Sequence, residues 1–187
     1  MATPADASPN PSDVVRPLVR TRQFREFTAE PLSEEVLAAL ADVGRWTGSA
    51  GNRQPWRFIV VTDVPTIRHL GEIGVPQTRS LATAPALIAI VLPAAEDRLV
   101  GDTYDDGRAA ERILVAASML GLGAGIGWVR ADVRAAVNEV LGIPDDHLVR
   151  TLMALGHPTE AALRPKGAPG TARLPREETV FRDRWPG

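Results

Sequence analysis

Apolar residues along this chain recur with two periods, one typical of helices and one typical of strands. After Ser33, apolar side chains return every three or four positions, which predicts an amphipathic helix over residues 33–47 with Ser33 as its N-cap. Residues 57–62 and 86–92 are short apolar runs of strand length, and the second run is almost continuously apolar. We therefore expect two strands, the second of them buried in the centre of a sheet.

The second half of the chain predicts two further helices and one more strand. Residues 102–120 carry one stripe of small and apolar side chains, which is typical of a long helix that packs closely on its neighbours. Residues 133–141 have the pattern of a shorter helix, and residues 148–155 that of a strand. Asp105 and Asp106 would be first-turn charges that favour the dipole of the long helix.

The two ends of the chain differ in composition from the middle. Residues 1–13 are rich in Pro, Ser and Ala, which predicts a flexible tail. Residues 14–28 predict a short helix and a turn whose apolar side chains face inward. Residues 159–187 are rich in Pro and Arg and have no core of their own, so we do not expect them to form a separate domain. The expected single domain therefore covers residues 14–187. This last segment has three clear apolar anchors, Val180, Phe181 and Trp185.

Composition narrows the classes of function. The 187 residues are enough for one domain with a substantial core. The net charge of −2 offers no basic field for nucleic acid, and no apolar run reaches the roughly 18 residues that a membrane span needs. The first residues lack a secretory signal pattern, which makes the cytoplasm the expected location. The chain has no Cys, and its three His have no ligand spacing, so we expect no metal site.

The loop between the first predicted helix and strand carries the densest candidate chemistry. Gly48 and Gly51 allow unusual backbone angles, and Asn52 offers an acceptor and two donors to the edge of a heteroaromatic ring. Pro55 predicts an extended residue 54, and Trp56 predicts an apolar anchor at the start of the strand. From the residues alone, an ordinary helix-to-strand connection is the favoured interpretation of this loop.

Four glycines, each two positions after the last, lie in residues 121–127. This run lacks the spacing of the dinucleotide-binding fingerprint, and it follows a predicted helix instead of a strand. The sequence also lacks a phosphate loop and a nucleophile elbow. A Rossmann domain, a P-loop enzyme and a serine hydrolase are therefore not expected.

Five motifs in one order resemble the nitroreductase family of FMN-dependent oxidoreductases, over about residues 16–182. The first is Ser-Ala-Gly-Asn-Arg-Gln-Pro-Trp at residues 49–56, followed by an apolar strand. The others are Arg-Gln-Phe-Arg-Glu-Phe at 22–27, Asp-Gly-Arg-Ala-Ala at 106–110 with its Gly-rich exit, Leu-Gly-His-Pro at 155–158, and Arg-Leu-Pro-Arg-Glu-Glu at 173–178.

The resemblance implies an α+β fold, in which helices flank a central, mostly antiparallel sheet. It also implies an intertwined homodimer with FMN at the interface and with residues 159–187 as an arm that reaches the partner subunit. Basic residues would hold the phosphate, Arg173 together with Arg20, Arg22 or Arg176. Backbone N–H groups near Gly127 and Trp128 would face the flavin N5, and no side chain would be catalytic. The residues implied to bind the cofactor are Arg22, Gln23, Arg25, Ser49, Asn52, Gln77, Gly125, Gly127, Trp128 and Arg173.

The implied activity is ping-pong transfer of a hydride from NAD(P)H through FMN to planar acceptors such as nitroaromatics or quinones. FMN supplies the hydride chemistry, whereas the protein positions it. A fold does not fix a reaction, and two alternatives stay open. One is a flavin-binding or dimeric interaction protein without turnover. The other is a specialised member that destroys flavin, oxidises heterocycles or removes halogen.

Overall fold

Four antiparallel strands form the sheet of this protein in the order β1-β2-β4-β3. The strands are β1 (Arg57–Val61), β2 (Ala86–Pro93), β3 (Gly123–Trp128) and β4 (His147–Gly156). The computed structural model describes residues 9–74, 76–165 and 173–186. All residues of β2 before Pro93 are buried, which confirms the predicted central strand.

Helices lie on both faces of the sheet. The Ser33 side chain accepts a hydrogen bond from the N–H of Val36 at 3.3 Å, which confirms the predicted cap. The helices are α1 (Pro11–Arg20), α2 (Glu34–Arg45), α3 (Val64–Ile73), α4 (Leu99–Met119), α5 (Arg134–Leu141) and α6 (Glu160–Leu163). Short 3-10 helices cover Ala50–Asn52, Pro76–Ala82 and Arg176–Glu178.

The alternation of side chains along the strands divides the core into two layers. One face of β2, represented by Ile88 and Ile90, packs against α2 and α4. The opposite face, represented by Leu87 and Ala89, packs against α3 and α5. Because helices cover both faces of the sheet, its central strands are apolar on both sides. This explains the nearly continuous apolar sequence of residues 86–92 and 148–155. The mixed helix and antiparallel sheet architecture confirms the expected fold class.

Strand β3 was not expected from the sequence, because half of its six residues are Gly and Gly has little strand propensity. The structure gives the reason for these glycines. A Cβ placed on Gly125 would lie 2.4 Å from the carbonyl oxygen of Phe24, and one on Gly123 would lie 2.8 Å from Cγ of Pro158. The N–H of Phe24 donates to the oxygen of Ala124 at 2.8 Å. The glycines therefore let a second segment of backbone lie against the edge of the sheet.

Two expectations about helices were wrong. Helix α1 begins at Pro11, so residues 11–13 are helical, and none of its residues is buried. Its apolar side chains are exposed in the chain, with 78% of Val19 accessible, instead of facing inward. Helix α4 begins at Leu99, one turn earlier than predicted, which removes Asp105 and Asp106 from the first turn. Both carboxylates are buried, with 1% and 3% of each residue exposed.

Within the described ranges, no helix combines the length and apolarity that crossing a membrane requires. The same part of the chain contains no group of three or more His, Cys, Asp or Glu residues arranged to hold a metal ion.

Candidate functional site

The loop before β1 is held in an unusual backbone conformation. Gly51, Asn52 and Gln54 all have positive φ, of 59°, 54° and 52°. The Ser49 hydroxyl oxygen accepts a hydrogen bond from the N–H of Gln54 at 2.8 Å, which closes the loop on itself. The expectation of an extended Gln54 was therefore wrong. Proline disfavours the right-handed helical region for the residue before it, which led to the expectation of an extended residue. Gln54 instead adopts the left-handed region, in which its N–H donates to Ser49.

Two buried carboxylates of α4 anchor this loop from below. Asp105 Oδ2 accepts from the N–H of Ala50 at 3.0 Å, and Asp105 Oδ1 pairs with Arg108 at 3.2 Å. Asp102 pairs with Arg53 at 3.0 Å. Sequence reasoning missed these contacts. A signal was present, since residues 102 and 105 are three apart and lie on one face of a helix.

Asn52 lies at the exposed top of the loop. Its side-chain oxygen accepts from Nε2 of Gln54 at 3.1 Å, which orients the amide. Only 4% of Trp56 is exposed, so its ring is held in the core at the start of β1, as predicted. The loop is thus rigidly connected at both ends while the Asn52 amide stays accessible to a ligand.

A second group of predicted residues runs along the free edge of β3. The side-chain oxygen of Gln23 accepts from the N–H of Ile126 at 3.2 Å, next to the contact between Phe24 and Ala124. Val129, by contrast, donates its N–H to Arg150 on the opposite side, at 3.0 Å. Because N–H groups alternate sides along a strand, the N–H of Trp128 points to the same outer edge as that of Ile126.

The same alternation turns the N–H groups of Gly125 and Gly127 towards β4. Trp128 is consequently the residue at the end of this run whose backbone N–H is directed outward at the edge, and 51% of Trp128 is exposed. Gly125 has a different role, because its lack of a side chain lets the carbonyl oxygen of Phe24 lie against the strand.

Three arginines, Arg22, Arg25 and Arg79, surround a cleft of about 450 Å³ beside this edge. Arg22 is oriented by the end of α6, where its Nη2 donates to the oxygen of Ala162 at 3.1 Å. Its guanidinium carbon also lies 4.8 Å from the centre of the Phe24 ring. The three arginines outnumber the one carboxylate of the lining, Glu26, so the cleft has a positive charge that suits a phosphate. Arg79 was not identified from the sequence, since nothing local connects it to residues 22–25.

Ser49 and Asn52 do not line this cleft. Arg173 and Arg176 are exposed in the described C-terminal segment, and the side chain of Gln77 lies outside the described residues. The loop with Ser49 and Asn52 leads into β1, at the opposite edge of the sheet from β3. Three strand spacings separate these edges, about 14 Å. One chain therefore presents two groups of candidate residues instead of one closed site.

A buried polar cluster lies behind Trp128. Asp106 Oδ2 accepts from the Thr151 hydroxyl at 2.8 Å, while Asp106 Oδ1 has no hydrogen-bond partner among the described residues. Burial raises the pKa of Asp106 to about 6, although the Thr151 hydrogen bond and the nearby charge of Arg150 oppose the increase. The Arg150 guanidinium in turn lies 5.1 Å from the centre of the Trp128 ring.

Comparisons with known proteins agree on one family. The model of the nitroreductase family matches residues 18–88. A protein of Archaeoglobus fulgidus named "Putative NADH dehydrogenase/NAD(P)H nitroreductase" is 31% identical over 144 residues, which cover 74% of this chain and 82% of that protein. The NADPH-flavin oxidoreductase of Vibrio harveyi is 28% identical over 188 residues, covering 93% of this chain and 75% of that protein.

Solved structures share the fold. The FMN-dependent nitroreductase of Clostridium difficile R20291 superposes with a TM-score of 0.74 at 22% identity, covering 89% of this chain and 98% of that one.

Proposed function

Since the chain belongs to the nitroreductase family, we propose that it passes a hydride from NAD(P)H through FMN to planar acceptors such as nitroaromatics or quinones. At the coarser level, the protein is an NAD(P)H-dependent flavin oxidoreductase that uses FMN. The proposal adds the acceptors, a ping-pong order and the residues that hold the cofactor.

The residues at the edge of β3 fit one half of an FMN molecule. Arg22, Arg25 and Arg79 give the cleft a positive charge suited to a phosphate, and Arg173 is proposed to join them. Gln23 lies between this cleft and Trp128, whose outward N–H is proposed to donate to the flavin. When bound, FMN supplies the hydride chemistry. The chain's own part is to bind the phosphate, orient the ring and place positive charge near its pyrimidine edge.

The loop residues fit the other edge of a flavin ring, but they lie across the sheet from this cleft. We therefore propose a site shared by two copies of the chain, with the Asn52 loop of one subunit completing the β3 edge of its partner. Exposed apolar side chains on α1 and near the C-terminus offer surface for such a homodimer. Among them are Val14, Leu18, Val180 and Trp185, each at least half exposed.

The breadth of acceptors is inferred from the connection between β1 and β2. A lid over the flavin would need an added segment there, but α3 and the following 3-10 helix pack into the core instead. Ile67, Leu70 and Leu81 are almost completely buried. With few polar groups positioned to reject a wrong substrate, selection among planar acceptors is expected to be weak.

The observation that carries this proposal is the three-arginine cleft beside the outward N–H of Trp128. The test is the absorbance spectrum of the purified chain, identification of any released flavin, and NADH and NADPH oxidation with a nitroarene and a quinone. Bound FMN with turnover of several unrelated acceptors is expected. A colourless protein that added FMN does not stabilise would refute the proposal. Bound FMN without NAD(P)H oxidation would favour a flavin-binding protein.

A further inference from the structure

Two arginine side chains form no hydrogen bond among the described residues. They are Arg134, the first residue of α5, and Arg150 of β4. The Nε atom of each is buried and unpartnered. No carboxylate of the described chain forms an ion pair with either one within 4 Å.

This arrangement is unfavourable for the protein alone. A buried donor without an acceptor destabilises a fold by about 1–3 kcal/mol, and more when the donor is charged. The two guanidinium groups also repel one another. Burial lowers the pKa of Arg134, and the charge of Arg150 lowers it further.

The carboxylate near Arg150 does not resolve the imbalance. Asp106 attracts Arg150, but its Oδ2 accepts from Thr151, and neither of its oxygens forms an ion pair with Arg150 within 4 Å. On the other side, Asp132 is already paired in two contacts with Arg130. The two arginines therefore carry an excess of positive charge and unused donors.

Two more features favour the binding of an anion near Arg134 and Arg150. Helix α5 begins without a side-chain cap, so its first backbone N–H groups add donors and partial positive charge near Arg134. Arg150 is stacked on the half-exposed ring of Trp128, whose backbone N–H faces the proposed flavin position. A group bound here would stand beside the reacting end of the cleft.

We propose that Arg134 and Arg150 bind an oxyanion, a phosphate or carboxylate carried by a substrate that enters the cleft beside Trp128. This inference rests on the proposed function for the identity of the substrate. The pairing of guanidinium groups with an oxyanion does not depend on it, since the charge imbalance belongs to the chain itself.

The first test uses the full-length protein with saturating FMN, so that any phosphate site in the Arg22 cleft is occupied. Thermal unfolding is followed with increasing inorganic phosphate against chloride at equal ionic strength. Phosphate is expected to raise the Tm of the wild type with saturation. Arg134→Gln and Arg150→Gln should each weaken this response at least ~10-fold, the effect of losing one charge-assisted hydrogen bond.

Arg45→Gln is the matched control, because Arg45 is an exposed arginine paired with Asp42 elsewhere on the surface. It should keep the wild-type response. Equal effects of phosphate and chloride, or equal responses in all four proteins, would overturn the proposed site. If FMN binding and turnover survive that result, the proposed function still stands.

Kinetics then identify the source of the oxyanion. A ~10-fold loss of kcat/KM for NADPH but not NADH in Arg134→Gln would assign the site to the 2′-phosphate of the nucleotide. A loss for nitrobenzoate but not for nitrobenzyl alcohol would assign it to an acceptor carboxylate. Unchanged kcat/KM for all four compounds would overturn the assignment to a substrate.

Discussion

Replacing Asp106 by Asn is expected to stabilise this protein at neutral pH, although the side chain is buried and hydrogen-bonded. Only 3% of Asp106 is exposed, and one of its two oxygens has no partner. Asn keeps an acceptor for the Thr151 hydroxyl and removes the charge that burial disfavours. The substitution conserves shape, so packing against β4 changes little.

The magnitude follows from the pKa, which burial raises from 3.8 to about 6. At about 1.4 kcal/mol for each pKa unit, the ionised form lowers the free energy of unfolding by roughly 3 kcal/mol. Because the folded pKa is the higher one, the folded state binds more protons between about pH 4 and pH 6. Stability from this group is therefore complete at low pH and is lost as pH rises towards 6, after which it stays constant.

The measurement is urea unfolding followed by circular dichroism from pH 4 to pH 8, at fixed protein concentration and ionic strength. Asp106→Asn should exceed the wild type by up to about 3 kcal/mol above pH 6.5 and match it near pH 4. Asp105→Asn is the control, since Asp105 accepts from Ala50 and pairs with Arg108, and it should destabilise by about 1–3 kcal/mol. An Asp106→Asn protein less stable than the wild type at pH 7.5 would refute the reasoning.

Three further predictions concern the site and its loop. Arg22→Ala and Arg173→Ala should each weaken FMN binding by about 1.5–3 kcal/mol in a fluorescence titration, whereas unchanged affinity in both would mark them as surface charges. Gly125→Ala should lower unfolding free energy by about 1–3 kcal/mol, because its Cβ would meet Phe24; Gly107→Ala, with open space in α4, should instead be neutral or stabilising. Gln54→Gly should stabilise by about 0.5–1 kcal/mol in the same assay, because its φ is 52°, and a clear loss of stability would show that the side chain matters more than the backbone strain.

The elements that sequence reasoning placed correctly are those whose signal is local. Helix α2 has its cap, its charges and its apolar period within fifteen residues, and β2 is apolar because both of its faces are covered. Strand β3 has no such signal. Gly125 is required by the backbone of Phe24, about a hundred residues earlier, and a single sequence does not reveal which distant segment approaches.

The same limit explains which parts of the candidate site were missed. Asp105 was interpreted as a charge at the start of a helix, and Asp102 was not singled out, since nothing nearby indicated that both support the Asn52 loop fifty residues away. Arg134 and Arg150 come from different elements and meet only when α5 packs on the sheet. A sequence motif identifies ligand-binding residues that lie close together in the chain. Charged residues whose partners come from distant segments, or from a ligand, are identified only when the hydrogen bonds and ion pairs of the folded structure are counted. Among the described residues of this protein, that count identifies a loop supported by two buried carboxylates, and two arginines whose Nε atoms have no hydrogen-bond partner.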